Sequence, residues 1–577
     1  MKAFLAILFC AGTALPQDDV ILKAMRDELN RSMTLKLMNL ETPYYVEYEI
    51  DDVRQYSASA SLGGLLGSTD GRIRVPRVRV RVGNYDFDNT NYVGSGFNFG
   101  TRYDIRLPLD DNYGVLRQNL WLATDQSYKS ALEAIARKRA ALRSLSVAEK
   151  LTDFSKAAPA RLVEPMATAA SNFDPWLNRT RSLSGIFLDY PKVKNSAVEF
   201  SALDGTHYFL TSEGSEVRQH ADLGIVRVKA AVQAPDGMQL RDSVVFQARD
   251  YNRLPGEPEM VRAVKALSAN LSNLAQAPLG DTYSGPVLFE GIAGSQIFAE
   301  VLGKNLSLAR KPVLEPGSPG SIPTSELEGR QGARILPEMF RIVDDPTQTE
   351  YHGHTLFGSY QVDDEGVQPQ PLTIVEKGVL KNFVLTRQPV RGFPASNGRA
   401  RLPGSFGARG AAISNLFVQA SETSALPELR QKLIEVCKQR GKPYGILVRK
   451  MDFPSSASLD EARRLLSGGG QAGGSHPVSL PVLIYRVYPD GHEELVRGLR
   501  FRGLNVRSLK DILAAGNDAN AFDYLENGFP FALMGAGNEA AEVTVVAPSI
   551  LVDDLELLPL EDELPKLPIV APPVLSR

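Results

Sequence analysis

Cysteine is almost absent from this chain of 577 residues, which contains only Cys10 and Cys437. Two cysteines so far apart can form neither a CxxC-type metal site nor a disulfide framework, so the sequence argues against both kinds of protein. Cys437 follows Leu429 and Leu433 at helical spacing. This spacing predicts a buried core residue rather than a reactive thiol.

An excess of charge of either sign is absent as well. The chain has 64 Lys and Arg against 67 Asp and Glu, a formal charge of −3, so no global attraction to nucleic acid is expected. After the amino terminus, no segment approaches the ~20 consecutive apolar residues that span a bilayer. Hydrophobic residues make up 43% and charged residues 23% of the chain. These values are typical of globular proteins, and the length predicts two or three domains.

The amino terminus has the pattern of a secretory signal. Lys2 provides a positive charge, residues 3–11 are an apolar run, and Gly12 and Ala14 are small residues of the kind found at cleavage sites. The first helix of a cytoplasmic domain is the alternative, but such a helix should show polar residues at every third or fourth position. We therefore predict a signal peptide over residues 1–16 and a periplasmic or extracellular protein.

Helix-like and strand-like periodicities alternate along the rest of the chain. We expect an amino-terminal α/β region with an antiparallel meander over residues 17–280, with a possible split into subdomains near 146–185. A mixed β-sheet carboxy-terminal domain over residues 281–577 should follow, which makes the predicted fold class α+β. Residues 57–71, rich in serine and glycine, are typical of a loop, and Asp204-Gly205 is typical of a turn between two strands.

Arginine alternates with valine at one place in the first region, where Arg77, Arg79 and Arg81 occupy every second position. The alternation predicts a strand with one apolar and one basic face. Because Asp86 and Asp88 follow closely, we interpret the basic face as solvated rather than as a binding surface for nucleic acid.

Generic catalytic signatures are missing. The sequence has neither a GxSxG nucleophile elbow nor a GxxxxGK[ST] phosphate-binding loop. His492-Glu493 begins like HExxH but lacks the second histidine, and GAGNEA at 535–540 precedes a strand-like segment where a dinucleotide fold needs a helix. His352 and His354 could share a metal ion. No third ligand is evident, so we interpret them as loop histidines.

Several segments between residues 281 and 410 occur in the order and spacing of a known family. They are DTYSGPVLFEGIAGSQIFAEVLG, a DDPT near Asp344, GSYQVDDEGVQPQPLTIVEKGVLKNFVLTR and SNGRAR. Together they resemble the third domain of the TldD/PmbA family, whose members are called modulators of DNA gyrase and are classed as metallopeptidases. EFSALDGTHYFLTSEGSEVRQHADLGIVRVKAAV resembles the middle domain of that family, and VTVVAPSILVDDLEL resembles its closing strands. The resemblance implies an α/β region joined to a mixed-sheet domain, assembled as a dimer around a proteolytic chamber.

The same resemblance implies a zinc site whose ligands are missing here. In the catalytic branch of the family a helix carries HExxxH, in which the histidines and a later cysteine bind zinc and the glutamate is the general base. This chain has AEVLGK, with Ala299 and Lys304 at the histidine positions and Glu300 at the base position, and the late segment MGAGNEAAEVTVV has no cysteine. A methyl group cannot bind zinc, and an ammonium group would first have to lose a proton. We expect no metal and no other cofactor, with Glu300 inactive and paired with Lys304 at i+4.

The loss of all three ligands makes the resemblance closest to the non-catalytic branch, whose members pair with a catalytic subunit. We predict a non-catalytic or substrate-binding subunit in peptide processing. Its partners would be a peptide or unfolded segment and either a second copy or a catalytic family member, without nucleic acid and without a membrane span. The alternatives are an active metallopeptidase with other ligands, such as His352 and His354, and a self-associating scaffold.

Two features of the carboxy-terminal domain could bind a peptide. The hairpin at 373–386 could offer its edge to an extended chain. Asn397, Arg399 and Arg401 could donate hydrogen bonds to a peptide backbone or carboxylate. The acidic turn at 363–366 is interpreted as solvated rather than as a cation site.

Overall fold

The structure is a computed structural model that describes residues 19–93, 106–143, 150–166, 171–315, 325–403, 408–458, 478–528, 532–534 and 540–560. The predicted signal peptide, most of the GAGNEA segment and the proline-rich tail lie outside the described residues.

The described residues contain six α-helices and 26 strands. The helices are α1 Val20–Ser32, α2 Tyr113–Leu142, α3 Asp174–Gly185, α4 Glu257–Leu274, α5 Ile292–Ile297 and α6 Leu426–Gln439. None of these helices is long and apolar enough to cross a membrane. The amino-terminal strands are β1 Pro43–Ser61, β2 Gly64–Val82, β3 Tyr92–Val93, β4 Arg161–Val163, β5 Val193–Thr211, β6 Glu216–His220, β7 Leu223–Gln233 and β8 Gln239–Ala248. The carboxy-terminal strands are β9 Tyr283–Phe289, β10 Val313–Leu314, β11 Phe340–Asp344, β12 Glu350–Tyr351, β13 His354–Thr355, β14 Leu372–Glu376, β15 Val379–Leu380, β16 Ala400–Pro403, β17 Arg409–Ala411, β18 Asn415–Ala420, β19 Gly445–Met451, β20 Pro481–Val487, β21 Glu493–Val496, β22 Leu499–Arg502, β23 Ile512–Ala515, β24 Asn520–Glu526, β25 Ala541–Ala547 and β26 Ile550–Pro559.

The amino-terminal strands other than β3 form a seven-stranded sheet around β5. On one side β5 pairs with β1, and β1 pairs with β2, which is the last strand in that direction. On the other side the first half of β5 pairs with β7 and the second half with β6. β8 then extends the sheet beyond β7, and β4 extends it beyond β6.

Alternation along the strands gives this sheet an apolar face and a charged face. Val46, Tyr48 and Ile50 of β1 are buried in one cluster with residues of α1 and α2. α3 and α4 cover the other end of the same face, around Phe200 of β5. Because successive residues of a strand point to opposite sides, the residues between them, such as Glu49, lie on the other face. That face meets the carboxy-terminal half of the chain.

The carboxy-terminal half is built on two further sheets. One has the strand order β15-β14-β11-β18-β25-β24, and the other has the order β21-β20-β19-β9-β26-β22 with β23 beside β26. α5 contacts strands of both sheets and lies in the largest apolar core of the described residues. α6 packs on the second sheet through a cluster that includes Cys437, so the prediction that this cysteine is a core residue is confirmed. The predicted α+β class is confirmed as well.

The loop predicted at residues 57–71 is wrong, because those residues form the tip of a β-hairpin. β1 runs on to Ser61, and Leu62 and Gly63, both with positive φ, make a two-residue turn before β2. Positive φ at both central residues is what such hairpin turns need, and it usually selects asparagine or glycine at the first position. Serine and glycine are poor strand formers, so composition pointed to a loop where pairing with β1 prevails.

The turn predicted at Asp204-Gly205 is also wrong, since both residues lie inside β5. A Cβ atom on Gly205 would stand 2.2 Å from the carbonyl oxygen of Asp52 and 2.7 Å from the Cα of Val53. The glycine is therefore needed for close approach of β1 to β5, and not for a change of direction.

Candidate functional site

α5 and the turns that follow it carry the positions of the predicted zinc site. Gln296 fixes the helix to β19, because its amide donates to the carbonyl oxygens of Met451 at 3.1 Å and Phe453 at 2.8 Å and accepts from the Met451 N–H at 2.8 Å. Ser295 ties the helix to the other sheet by donating to the Asn520 carbonyl oxygen at 2.7 Å. Gly294 allows this position, since a Cβ there would stand 2.4 Å from the Pro548 carbonyl oxygen.

The helix continues into a π-helical turn over Phe298–Leu302 and then a 3₁₀ turn over Gly303–Asn305. A π turn closes through i→i+5 hydrogen bonds, so it brings residues five apart closer to one side than an α-helix does. Ala299 and Lys304 are five residues apart. Ala299 lies in the π turn and Lys304 in the 3₁₀ turn that follows it, and neither side chain is a zinc ligand.

Lys304 forms a buried ion pair with Glu526. The ammonium Nζ lies 2.5 Å from Glu526 Oε1, and the two side chains are 11% and 8% exposed. The Gly528 N–H also donates to Glu526 Oε1 at 2.8 Å. The predicted pairing of Lys304 with Glu300 is therefore wrong. The π turn between them removes the i,i+4 alignment on which that prediction depended.

Glu300 is 5% exposed, and its two carboxylate oxygens have different surroundings. Oε1 accepts hydrogen bonds from the backbone N–H and the hydroxyl of Ser479, both at 2.8 Å. Oε2 is buried and has no hydrogen-bond partner. Burial raises the pKa of the Glu300 carboxyl to about 8, even though the hydrogen bonds from Ser479 and the charge of Lys304 lower it. The side chain is therefore largely protonated at neutral pH.

These residues do not fit a catalytic zinc ion. Such a site needs about three nitrogen, sulfur or oxygen ligands and an open position for water. Here one position offers a methyl group, another offers an ammonium group already bound to a carboxylate, and the Oε1 of Glu300 is taken by two donors. The single unsatisfied oxygen of a protonated carboxyl is not a ligand set.

Sequence reasoning missed Ser479 and Glu526. They lie 179 and 222 residues from their partners along the chain, and neither is part of a motif. A carboxylate was needed somewhere to balance a buried lysine, but nothing in the sequence indicated which one.

His352 and His354 lie on a small hairpin and do not join Glu300. His354 Nε2 is 2.8 Å from Asp523 Oδ2, and this hydrogen bond raises the pKa of the imidazole. The ring of His352 is exposed and stacks on Tyr351. Over the described ranges, the one group of three potential ligands that converge lies elsewhere, in the amino-terminal sheet.

That group consists of Glu49, Asp51 and His207, and it is an ionic network. Arg77 donates to Glu49 Oε1 at 2.6 Å and to Asp51 Oδ2 at 2.5 Å, while Arg409 donates to Glu49 Oε2 at 2.5 Å. His207 Nδ1 lies 2.7 Å from Asp51 Oδ1. Burial would lower the pKa of His207, but Asp51 raises it to about 9. All four carboxylate oxygens thus have cationic partners, which leaves none for a metal.

The same network corrects the prediction of a solvated arginine face. Arg77 and Arg79 pair with acids of the neighbouring strand, and Arg81 is buried against Asp88 at 2.8 Å. Arg409 from the carboxy-terminal half covers this face. The pattern of charges was visible in the sequence, but the domain that packs on it was not.

Asn397, Arg399 and Arg401 have partners inside the protein. Asn397 donates to the Phe383 carbonyl oxygen at 2.7 Å and accepts from the Leu385 N–H at 2.9 Å. The nearly inaccessible Arg399 donates to Asp344 at 3.0 Å, and Arg401 donates to Glu542 at 2.6 Å. Their hydrogen bonds hold this segment to β11, to β25 and to the residues that follow β15, so they add no support to a peptide site.

Two related predictions in this domain are wrong. The hairpin at 373–386 does not offer a free edge, because Leu380 donates to the Ala333 carbonyl oxygen at 3.0 Å and accepts from the Gly332 N–H at 2.8 Å. The acidic turn is not solvated, since Asp363 and Glu365 are both buried. Burial raises the pKa of Asp363 to about 7, against three backbone N–H groups that hydrogen-bond to it.

Residues 282–451 match the family model described as PmbA/TldA metallopeptidase C-terminal domain. A protein of Archaeoglobus fulgidus named metalloprotease is 38% identical to this chain over 78 residues, a stretch that covers 14% of this chain and 17% of that protein.

Two solved structures share the fold. TldE from Thermococcus kodakarensis has a TM-score of 0.55 and 13% identity, covering 93% of this chain and 100% of its own. A candidate modulator of a DNA gyrase from Thermotoga maritima has a TM-score of 0.54 and 16% identity, covering 89% of this chain and 96% of its own. Residues 282–451 therefore carry a carboxy-terminal domain of the PmbA/TldD type, and the chain as a whole shares the fold of these two solved structures.

Proposed function

We propose that this protein has no catalytic zinc and acts as a non-catalytic, substrate-binding subunit in peptide processing. Lys304 supports this proposal most directly, because its buried ammonium group occupies a zinc-ligand position and is bound to Glu526. A metal ion there would meet a positive charge in place of a nitrogen lone pair.

The protonation state and hydrogen bonds of Glu300 support the same function. A general base must be ionised at the working pH and within reach of the water that it activates. Burial raises the pKa of the Glu300 carboxyl to about 8, so the group is largely protonated at neutral pH, and its Oε1 already accepts hydrogen bonds from Ser479. Its role is then structural, linking the π turn to the strand region that begins near Ser479.

We expect the purified protein to retain no stoichiometric zinc and to cleave no peptide, with or without added zinc. Elemental analysis after dialysis and a peptidase assay measure this, with a family member that has an intact HExxxH as the positive control. One equivalent of retained zinc, together with hydrolysis that Glu300→Ala abolishes, would instead establish an active metallopeptidase with other ligands.

We further expect this protein to form a dimer, either with a second copy or with a catalytic family member. The non-catalytic branch that it resembles works in such pairs. Copurification from the native cell followed by light scattering measures the partner and the stoichiometry. A particle with the mass of one chain and no copurifying partner would contradict this part of the proposal, and self-association without peptide binding would favour the scaffold.

Export stays a prediction, because residues 1–16 lie outside the described residues. If it holds, the partner and the peptide would also be found in the periplasm or outside the cell. Cleavage after residue 16 would leave Cys437 as the one cysteine of the exported chain, so that chain could form no internal disulfide, and the large apolar cores of both halves can stabilise the fold without one.

A further inference from the structure

One edge of the amino-terminal sheet is open along part of β2. Between residues 64 and 73, β2 pairs with β1 on one side, and none of the described residues pairs with its other side. The stretch ends where the Leu107 N–H donates to the Arg74 carbonyl oxygen at 2.8 Å. An open edge presents a row of N–H and C=O groups that can pair with another extended chain.

The side chains along this edge leave room for such a chain. Residues 64–72 are all exposed, and Leu65 and Leu66 are 43% and 66% exposed. A Cβ atom on Gly67 or on Gly71 would meet nothing within 4 Å. Both faces of the strand are therefore accessible beside the edge.

The edge is also neutral. Edge strands are commonly protected by charged residues, by proline or by bulges. Residues 64–69 contain no charge and no proline, and the one irregularity in their pairing with β1 is at Leu66, next to the hairpin tip, so the edge is regular from Gly67 onward. The two charges that follow are paired within the sheet. Asp70 accepts from Arg54 at 2.8 and 2.6 Å, and Arg72 donates to Asp52 at 2.8 and 2.7 Å. An incoming segment would thus find no unpaired charge, which suits an uncharged partner.

The hairpin tip is held in place by the rest of the domain. The Gly63 N–H donates to Ser184 Oγ at 3.0 Å, and Arg181 donates to the Gly63 carbonyl oxygen at 3.3 Å. On its other side β1 pairs with β5 as far as Ala60. Because the edge is already ordered, a bound segment would lose its own freedom but would not have to order the sheet.

We infer that residues 64–73 of β2 bind an extended, uncharged peptide segment as an added strand. The inference rests on the function proposed above and names the place where the subunit would hold its peptide. Backbone hydrogen bonds would give the affinity, and the exposed side chains of Leu65 and Leu66 would favour apolar side chains on the peptide. A second copy fits the edge less well, because ten residues a side fall short of the 20–30 of a standard interface.

A blocked, fluorescently labelled hexapeptide of alternating valine and threonine tests this. We expect it to bind the full chain and to slow hydrogen exchange of the amides in residues 64–73. The variant Leu66→Lys with Ser68→Lys should bind it at least ten-fold more weakly, because two ammonium groups would lose water beside an apolar strand. The same peptide with proline at alternate positions, which lacks half of its donors, should not bind.

The matched control is Leu122→Lys with Gln126→Lys on the exposed side of α2, which should bind the peptide within two-fold of the unmodified protein. Equal weakening by both double variants, or no binding and no protection at residues 64–73, would overturn the inference. A dimer that the Leu66→Lys, Ser68→Lys variant dissociates would also overturn it, because the edge would then belong to a second copy. Zinc content and hydrolysis, measured on the same preparations, report separately on the proposed function.

Discussion

Replacing Lys304 with alanine is expected to lower the free energy of unfolding by about 3–5 kcal/mol, the usual cost of removing one partner from a buried ion pair. The Glu526 carboxylate, which is 8% exposed in the unmodified protein, would keep only the Gly528 N–H as a described donor to its Oε1. Urea unfolding at neutral pH measures the change.

Two controls separate the buried charge from other causes. Lys129 and Asp125 also pair at 2.6 Å, but their side chains are 57% and 36% exposed, so Lys129→Ala should cost less than about 1 kcal/mol. Combining Lys304→Ala with Glu526→Gln should recover part of the loss, because the amide carbonyl can still accept from Gly528. An equal loss in the free energy of unfolding for Lys304→Ala and Lys129→Ala would show that burial does not strengthen the pair of Lys304 with Glu526.

Replacing Glu300 with glutamine is expected to stabilise the protein above pH 8 by an amount on the order of 3–5 kcal/mol. The pKa of this carboxyl is about 8 in the folded chain against 4.5 as its ordinary value, and each unit is worth about 1.4 kcal/mol. A raised carboxyl pKa means that the unfolded chain releases the proton first. Stability should therefore fall as pH rises from about 4.5 to 8.

Urea unfolding at pH 5, 7 and 9 measures this dependence. The glutamine variant should lose less stability over that range than the unmodified protein, because its amide carries no charge but can still accept from Ser479. Glu300→Ala is the control, and it should be less stable than Glu300→Gln at every pH, since both Ser479 donors lose their acceptor. If Glu300→Gln follows the pH profile of the unmodified protein, the carboxyl is already ionised and the proposed structural role is wrong.

The zinc positions were predictable from the sequence because they depend on residue identity at fixed spacing. Ala299 offers no donor atom in any conformation, and Lys304 offers no lone pair while its amine is protonated. What could not be predicted is which carboxylate pairs with Lys304, because Glu526 lies 222 residues away in the sequence and only the fold brings it near. The protonation of Glu300 was equally hidden, since it depends on burial by two sheets.

In the amino-terminal sheet, alternation predicted the strands but not their ends or neighbours. The valines and arginines from Arg77 to Arg81 gave both faces of β2 correctly as apolar and basic. The hairpin tip and the interior of β5 were predicted as loop and turn, because glycine and serine signal breaks in chains that pair locally. Here β5 pairs with β1 behind the hairpin tip, and β1 pairs with β5 at Asp204 and Gly205, so a sheet of more than two strands stabilises residues that would not form a strand alone.

The ion pair between Arg409 and Glu49 joins positions 360 residues apart. Arg409 lies inside the segment 282–451 that the family model matches, whereas Glu49 lies far outside it. The matched segment contains β9 and β19, but their neighbours in the sheet, β26 and β20, lie outside it. The stretch that is most recognisable between relatives is therefore not a unit that could be exchanged between proteins by recombination. Its inheritance is tied to the whole chain, because a foreign amino-terminal half would leave the buried guanidinium of Arg409 without Glu47 and Glu49, with Asp364 at 3.4 Å as its remaining described carboxylate.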